Sequence, residues 1–177
     1  MSKPAMSTPG QRRLLGFSLA ALVLAADQAS KYWILYGLNL PAKQVVRVLP
    51  ILNFAMVWNH GVTFGLLSNA NASTFLVLIA IGAVAFLAIW LWRAAHLTTS
   101  LAIGAIIGGA LGNVISRLYY GAVVDFLEFH LGRYEWYVFN IADACIVCGV
   151  GALIAENLLR GNPPPLPPDQ SSDMNAP

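Results

Sequence analysis

Charged residues are scarce in this sequence. Only 10% of its 177 residues are charged, whereas 58% are hydrophobic, and a soluble domain of this length has a far more polar composition. The formal net charge is only +2, and the basic residues are scattered instead of forming the patch that nucleic-acid-binding proteins carry. These shortages exclude a soluble globular domain and a nucleic-acid partner, and they indicate an integral membrane protein.

Residues for disulfide, metal or nucleophile chemistry are also few. The only cysteines, Cys145 and Cys148, both lie in an apolar run, so the chain has no disulfide framework. Their C-x-x-C spacing lacks a second ligand pair, which favours two small buried core residues over a metal or redox site. His60, His96 and His130 fall in different predicted loops, and neither a G-x-S-x-G motif nor a P-loop is present. The sequence therefore predicts no metal and no cofactor.

Long hydrophobic runs, in contrast, are abundant. A helix needs about 20 apolar residues to cross a bilayer core of about 30 Å, and four stretches meet this length: Leu14–Tyr36, Thr74–Trp92, Leu97–Leu118 and Val138–Leu159. The first stretch could instead be a cleaved signal peptide, but its apolar pattern continues beyond Lys31, which favours a retained helix. We therefore predict an all-α integral membrane protein with four transmembrane helices.

Basic residues next to these spans favour one orientation in the membrane. Lys3, Arg12 and Arg13 precede the first span, whereas Arg93 and Arg160 follow the second and fourth spans. The bias is modest, because the loops on the opposite side also carry three basic residues. We predict that both termini are cytoplasmic and that the outer loops, about 37–73 and 119–137, face the other side.

The outer loops carry signals of structure. QVVRV and LNFAMVW flank a turn that contains proline, and their β-branched and aromatic residues predict two strands of a small sheet. Leu127–Tyr137 mixes apolar and charged residues with Trp136, as is typical of a segment at the membrane interface. Residues 1–160 are expected to form one membrane domain, and 161–177, rich in proline and polar residues, a disordered cytoplasmic tail.

Polar residues at membrane depth each need a partner or a task. Asp27 and Lys31 lie four residues apart on one face of the first span, and a local ion pair is favoured over direct chemistry. In the third span, Gly104, Gly108 and Gly112 repeat every four residues, which predicts a smooth strip for close helix packing.

Asn113 and Arg117 follow this glycine strip, again four residues apart. Arg117 could be only a flanking residue whose guanidinium reaches toward the membrane surface. Alternatively, the amide and the guanidinium together hold a polar group, such as a carboxylate or a peptide carbonyl.

Two aspartates belong to the outer side of the membrane. Asp125 follows the third span and Asp143 lies in the first turns of the fourth. Each alone could be a helix N-cap or an interfacial residue, but this explanation accounts poorly for both together with Asn140. Two close carboxylates cannot both ionise readily, so one keeps a proton, and the pair then supplies a general base and a general acid. A proton- or ion-coupled transporter and a non-catalytic scaffold stay open as alternatives.

Five ordered segments resemble those of the bacterial lipoprotein signal peptidases, or signal peptidase II. The segments are DQASK (27–31), WNHGVTFG (58–65), GGALGNVISR (108–117), GAVVDF (121–126) and FNIADACIVCG (139–149). The resemblance implies a four-helix aspartic peptidase of the bacterial inner membrane, with its active site facing the periplasm. Its substrates would be diacylglyceryl-modified prolipoproteins, cut just before the lipidated cysteine.

By this resemblance, Asp125 and Asp143 would be the catalytic pair. The remaining matched positions would line or support the site: Asn59, Gly61, Asn113, Arg117, Asn140, Asp27 and Lys31. The expected partners are prolipoprotein substrates and membrane lipids, and we expect a monomer. One departure is Ser116, which occupies a position where the family usually has aspartate, and this puts in doubt the local partner of Arg117 or Lys31.

Overall fold

The computed structural model describes residues 7–61, 70–132 and 134–160. Its helices are α1 (Pro9–Tyr32), α2 (Leu40–Lys43), α3 (Ala70–Arg93), α4 (Leu97–Tyr120) and α5 (Ile141–Arg160), and a π-helical turn, Trp33–Gly37, follows α1. Its strands are β1 (Val45–Leu49), β2 (Leu52–Asn59), β3 (Val123–Leu131) and β4 (Tyr134–Glu135). The predicted tail, 161–177, lies outside the described residues.

Four segments are long and apolar enough to cross a membrane: Pro9–Gly37, Ser73–Arg93, Leu97–Tyr120 and Ile141–Arg160. They confirm the four predicted spans. The fourth helix begins at Ile141 and not at Val138, because Asn140 caps it: the backbone N–H of Asp143 donates to Asn140 Oδ1 at 3.0 Å.

Helix α4 packs closely on both α1 and α5 through its glycines. A Cβ on Gly104 would lie 2.2 Å from the carbonyl oxygen of Gly16 in α1, and Gly108 continues this contact one turn later. On another face of α4, a Cβ on Gly109 would lie 2.5 Å from the carbonyl oxygen of Ala142 in α5. Any side chain at these positions would push the helices apart. The predicted packing role of the glycine strip is confirmed.

The cysteines of α5 differ from the prediction of two buried core residues. Cys145 is half-buried, but Cys148 is exposed, so the prediction is wrong for Cys148. The neighbouring Gly149 faces α4, where its Cβ would lie 2.7 Å from the carbonyl oxygen of Ala102. Successive residues of a helix point about 100° apart, and Cys148 is therefore turned away from the contact.

An antiparallel sheet with the order β1-β2-β3-β4 covers one end of the helices. The two predicted strands correspond to β1 and β2, whereas β3 and β4 come from the second outer loop and were not predicted. The predicted interfacial segment, 127–137, continues β3 to Leu131 and turns back through β4. Several of its side chains are exposed: Leu131, Tyr134, Trp136 and Tyr137.

An apolar cluster fixes β3 against the chain that follows α1. Val124 and Phe126 of β3 pack with Ile34, Leu35 and Leu40. Because side chains alternate along a strand, the residue between Val124 and Phe126 points to the opposite face. That residue is Asp125, so the hydrophobic contact also determines where this carboxylate is held.

Candidate active site

The described chain gathers its buried polar residues at one end of the bundle. Apart from Ser100, all of them lie near the C-terminal ends of α1 and α4, on β3 or at the start of α5: Asp27, Lys31, Asn113, Ser116, Asp125 and Asn140. Burial of polar groups is unfavourable unless each finds a hydrogen-bond partner. Their contacts therefore define the candidate site.

Asp125 is held by two side-chain amides. Asn140 Nδ2 donates to its Oδ1 at 2.6 Å, and Asn59 Nδ2 donates to its Oδ2 at 2.9 Å. Burial, which leaves the residue 1% exposed, is the main reason why the pKa of Asp125 rises from 3.8 to about 6. The hydrogen bonds from Asn59 and Asn140 and the charge of Lys31 oppose this rise, whereas the charge of Asp143 adds to it. Asp125 thus accepts a proton more readily than an ordinary carboxyl.

Asp143 lies in the first turn of α5 and contacts two elements. Its Oδ1 accepts from Asn113 Nδ2 at 2.8 Å, and its Oδ2 accepts from the backbone N–H of Asn140 at 3.3 Å. The second contact, together with the bond from the Asp143 N–H to Asn140 Oδ1, forms a reciprocal capping box. Asp143 therefore stabilises the helix start with one oxygen while the other oxygen faces α4.

Asn140 and Asn113 link the two aspartates. Asn140 Nδ2, which donates to Asp125, also lies 3.2 Å from Asn113 Oδ1, and Asn113 in turn donates to Asp143. Both carboxylates consequently belong to one hydrogen-bonded network that joins β3, α4 and the start of α5. This proximity depends on the chain between Tyr120 and Ile141 returning as a strand.

Asp27 and Lys31 form a second layer behind this network. Lys31 Nζ lies 2.9 Å from Asp27 Oδ2, which is the predicted ion pair. The pair is more than local, because Lys31 Nζ also donates to Asn113 Oδ1 at 3.1 Å and the N–H of Ala142 donates to Asp27 Oδ1 at 3.1 Å. Gln28, for which no motif predicted a role, donates a further hydrogen bond to Asp27 at 2.9 Å. These bonds satisfy the buried charges and tie α1 to α4 and α5.

Gly61 follows the end of β2, two residues after Asn59, and Arg117 of α4 lies beside it. The N–H of Gly61, a residue with a φ of 93°, donates to Asn59 Oδ1 at 2.8 Å. A Cβ on Gly61 would lie 3.6 Å from Arg117 Nη2, and Arg117 Nε is buried without a hydrogen-bond partner within the described ranges. A buried Nε argues against a guanidinium that reaches only toward water. Among residues 7–61, 70–132 and 134–160, Arg117 therefore has one donor without a partner, and the charges of Asp143 and Asp125 act on its guanidinium.

Ser116 is fully buried, and its hydroxyl donates to the carbonyl oxygen of Gly112, one turn earlier in the same helix, at 3.2 Å. It contributes no charge to the site. The partners of Lys31 are Asp27 and Asn113, so the buried amine is satisfied without a carboxylate at position 116.

The chain is similar to the members of a known protein family. The profile of the family described as signal peptidase (SPase) II matches residues 19–159. The lipoprotein signal peptidase of Methylorubrum extorquens (strain PA1) is 46% identical over 137 residues, which cover 76% of this chain and 80% of that protein. The lipoprotein signal peptidase of Rhodopseudomonas palustris (strain TIE-1) is 45% identical over 151 residues, with 82% and 92% covered.

The fold of this chain is also similar to that of a solved membrane enzyme. A bacterial membrane enzyme determined by the in meso method at 1.9 Å resolution is 32% identical and superposes with a TM-score of 0.71, covering 81% of this chain and 92% of that one. The profile match includes all four spans, at least in part, and both networked aspartates. The chain belongs to the signal peptidase II family.

Proposed function

We propose that this protein is an aspartic endopeptidase that removes the signal peptide from diacylglyceryl-modified prolipoproteins, cutting just before the lipidated cysteine. The observation that carries the proposal is the network that joins Asp125 and Asp143 through Asn140 and Asn113 in a member of the signal peptidase II family.

The family and the four apolar helices make this chain a bacterial inner-membrane protein that acts on prolipoproteins. The finer topology is our inference: both termini are cytoplasmic, the two aspartates face the periplasm, and the protein acts as a monomer. The orientation is supported by Arg12 and Arg13 before α1 and by Arg93 and Arg160 at the ends of α3 and α5, since basic residues favour the cytoplasmic side. The substrate would keep its acyl chains among the membrane lipids while its peptide bond reaches the aspartates.

The charges of the site favour a single proton shared by Asp125 and Asp143. Among the described residues, the ionisable groups near them are two basic residues, Lys31 and Arg117, and one further acid, Asp27. With both Asp125 and Asp143 ionised, the site would carry one excess negative charge, and one proton removes it. Since an uncompensated charge is costly to bury, the singly protonated pair is the favoured state, as in other carboxylate dyads.

Asp125 is the better candidate for the protonated partner. It is 1% exposed and its pKa is raised to about 6. Asp143 is less buried, so water can reach it, and donors from Asn113 and the Asn140 backbone orient its two oxygens. Asp125 is therefore assigned as the general acid and Asp143 as the general base.

Hydrolysis then follows from these roles. Asp143 takes a proton from a water molecule, whose oxygen attacks the scissile carbonyl carbon, while Asp125 donates a proton to the carbonyl oxygen. The tetrahedral intermediate collapses, the bond from carbon to nitrogen breaks, and the leaving nitrogen receives the proton held by Asp143. Asp125 recovers its proton from the intermediate hydroxyl, and no covalent bond to the enzyme forms.

The other polar residues have supporting roles in this mechanism. Lys31 and Asp27 fix the side chain of Asn113, which in turn holds Asp143, so they are positioning residues. Arg117 Nε has no hydrogen-bond partner among the described residues, and we infer that this guanidinium binds a carbonyl oxygen of the substrate backbone.

A transmembrane ion path, the alternative considered from sequence, is not favoured. A relay needs polar groups across the membrane, but α3 contains no ionisable residue before Arg93, and Glu156 lies in the last turns of α5, far from the aspartates near its start. Within the described ranges, the buried acids occupy one end of the bundle.

Incubation of the purified protein in detergent with a diacylglyceryl-modified precursor and with the same precursor lacking the lipid tests the reaction. Mass spectrometry should find a product that begins with the lipidated cysteine, and only from the modified precursor. Cleavage at another bond, or equal cleavage of the unmodified precursor, would contradict the proposed specificity.

A further inference from the structure

A polar pocket lies at the end of the bundle opposite the two aspartates. It has a volume of about 460 Å³ and is formed where α3 ends, α4 begins and α5 ends; its lining includes Trp90, Arg93, His96, Thr99, Glu156 and Arg160. Asp143 and Arg160 are separated by nearly the whole length of α5, or about 25 Å at 1.5 Å per residue. The pocket is in the usual size range of small-molecule sites but is too distant to belong to the candidate active site.

The charge of this pocket is positive and only partly compensated. Glu156 accepts hydrogen bonds from Thr98 and Thr99 and pairs with Arg160, so its carboxylate is already satisfied. Arg93 is exposed and forms no hydrogen bond or ion pair within the described part of the chain. The Arg93 guanidinium thus has no counter-charge among the described residues, and the guanidinium of Arg160 lines the same pocket.

An apolar groove continues from this pocket along α3. A second cavity of about 300 Å³ is lined by Phe86, Ile89, Trp90 and Arg93, so it shares Trp90 and Arg93 with the first. Phe86 is 66% exposed and Ile89 57% exposed on a helix that spans the membrane, so these side chains face lipid. Together, the two cavities form one surface, which has basic side chains at the end of the bundle and apolar side chains that extend along α3 into the bilayer.

We propose that this surface is a specific site for one anionic phospholipid. Its phosphodiester would bind Arg93 and Arg160, because guanidinium groups form strong, charge-assisted hydrogen bonds to phosphate oxygens, and one acyl chain would lie along Phe86 and Trp90. Basic pockets between transmembrane helices bind such headgroups elsewhere. With the topology proposed above, the lipid belongs to the cytoplasmic leaflet, where it bridges α3 and α5.

Native mass spectrometry and thermal unfolding in a non-ionic detergent test this site. Phosphatidylglycerol should be retained as one bound molecule and should raise the Tm, whereas zwitterionic phosphatidylethanolamine and inorganic phosphate should do neither at the same concentration. Arg93→Gln should weaken phosphatidylglycerol binding about fivefold. This variant is preferred over one at Arg160, because loss of Arg160 would also break the pair with Glu156.

Arg47→Gln is the matched control, since Arg47 is an exposed arginine on β1 at the opposite end of the protein. It should bind phosphatidylglycerol like the unaltered chain, and both variants should cleave a lipidated precursor in detergent at the normal rate. Equal weakening by Arg47→Gln would mean diffuse charge attraction and overturn the proposal. Equal retention of phosphatidylethanolamine, or an equal Tm increase with inorganic phosphate, would also overturn it.

Discussion

We expect the hydrogen bond from Asn59 to Asp125 to set the pH range in which the enzyme works. The bond joins Asn59 Nδ2 and Asp125 Oδ2 at 2.9 Å, and it opposes the effect of burial, so that the pKa of this carboxyl is raised only to about 6. Asn59→Ala removes a donor that stabilises the ionised form, so the pKa of Asp125 must rise further. Because the proposed mechanism needs Asp125 protonated, the alkaline limb of the kcat/KM profile should move to higher pH.

The size of the shift follows from the strength of the bond. A hydrogen bond to a charged group contributes about 1.5–3 kcal/mol, and one pKa unit corresponds to about 1.4 kcal/mol, which gives a shift of about 1–2 units. Asn59 is exposed, so solvent weakens the interaction and about 1 unit is expected. A limb near pH 6 in the unaltered enzyme would then lie near pH 7.

The measurement is kcat/KM for a diacylglyceryl-modified precursor from acid to alkaline pH. Asn53→Ala is the matched control, because Asn53 lies on the same strand but donates to Glu128 at 2.9 Å and not to either aspartate. Its profile should coincide with that of the unaltered enzyme. An unmoved alkaline limb in Asn59→Ala, or the same shift in Asn53→Ala, would refute the reasoning.

Two further predictions concern stability in detergent. Lys31→Met leaves the fully buried Asp27 without its cation, so the free energy of unfolding should fall by about 3–5 kcal/mol. Adding Asp27→Asn should recover part of this loss. A double variant as unstable as Lys31→Met would contradict the explanation by an unpaired charge. The pKa of Asp125 is raised on folding from 3.8 to about 6, so the folded state binds the proton more tightly and loses stability as the pH rises through this window, by about 3 kcal/mol in total. Asp125→Asn should lack this decline in denaturation experiments, and equal slopes for both proteins would count against the raised pKa.

The four spans could be predicted because the thickness of the bilayer sets the number of consecutive apolar residues that a spanning helix needs. Their boundaries were harder: the apolar pattern of the fourth span begins at Val138, but the helix starts at Ile141 because Asn140 is its cap. Cys148 shows the same limit, since an apolar run does not say which face of a helix meets its neighbour.

Strand β3 could not be predicted, because its stability comes from pairing with β2, more than 60 residues earlier in the chain. The sequence contains Asp125 and Glu128 in this stretch, which weakens the apolar alternation of a strand. Without a prediction of β3, the hydrogen bonds from Asn59 and Asn140 to Asp125 could not be predicted from the sequence either. The motifs therefore located the polar residues, whereas the tertiary pairing determined which of them touch.

The contacts of Asp27 illustrate the same division. Its ion pair with Lys31 was predictable, since the two lie one helical turn apart. Its hydrogen bonds to Gln28 and to the N–H of Ala142 were not predictable. The bond to Ala142 joins residues 115 positions apart in the chain. Close packing of α1 and α5 on the glycines of α4 creates that contact.

The most direct test of the proposed catalytic pair is the cleavage rate of a diacylglyceryl-modified precursor by Asp125→Asn and Asp143→Asn. Glu128→Gln is the control, because Glu128 is a carboxylate of the same strand that binds Asn53 and lies outside the network. Both aspartate variants should stay folded and lose at least about 100-fold in kcat, as expected when a general acid or base is removed, while Glu128→Gln keeps the normal rate. Turnover near the normal rate by either aspartate variant would contradict the assignment of these two residues as the catalytic pair.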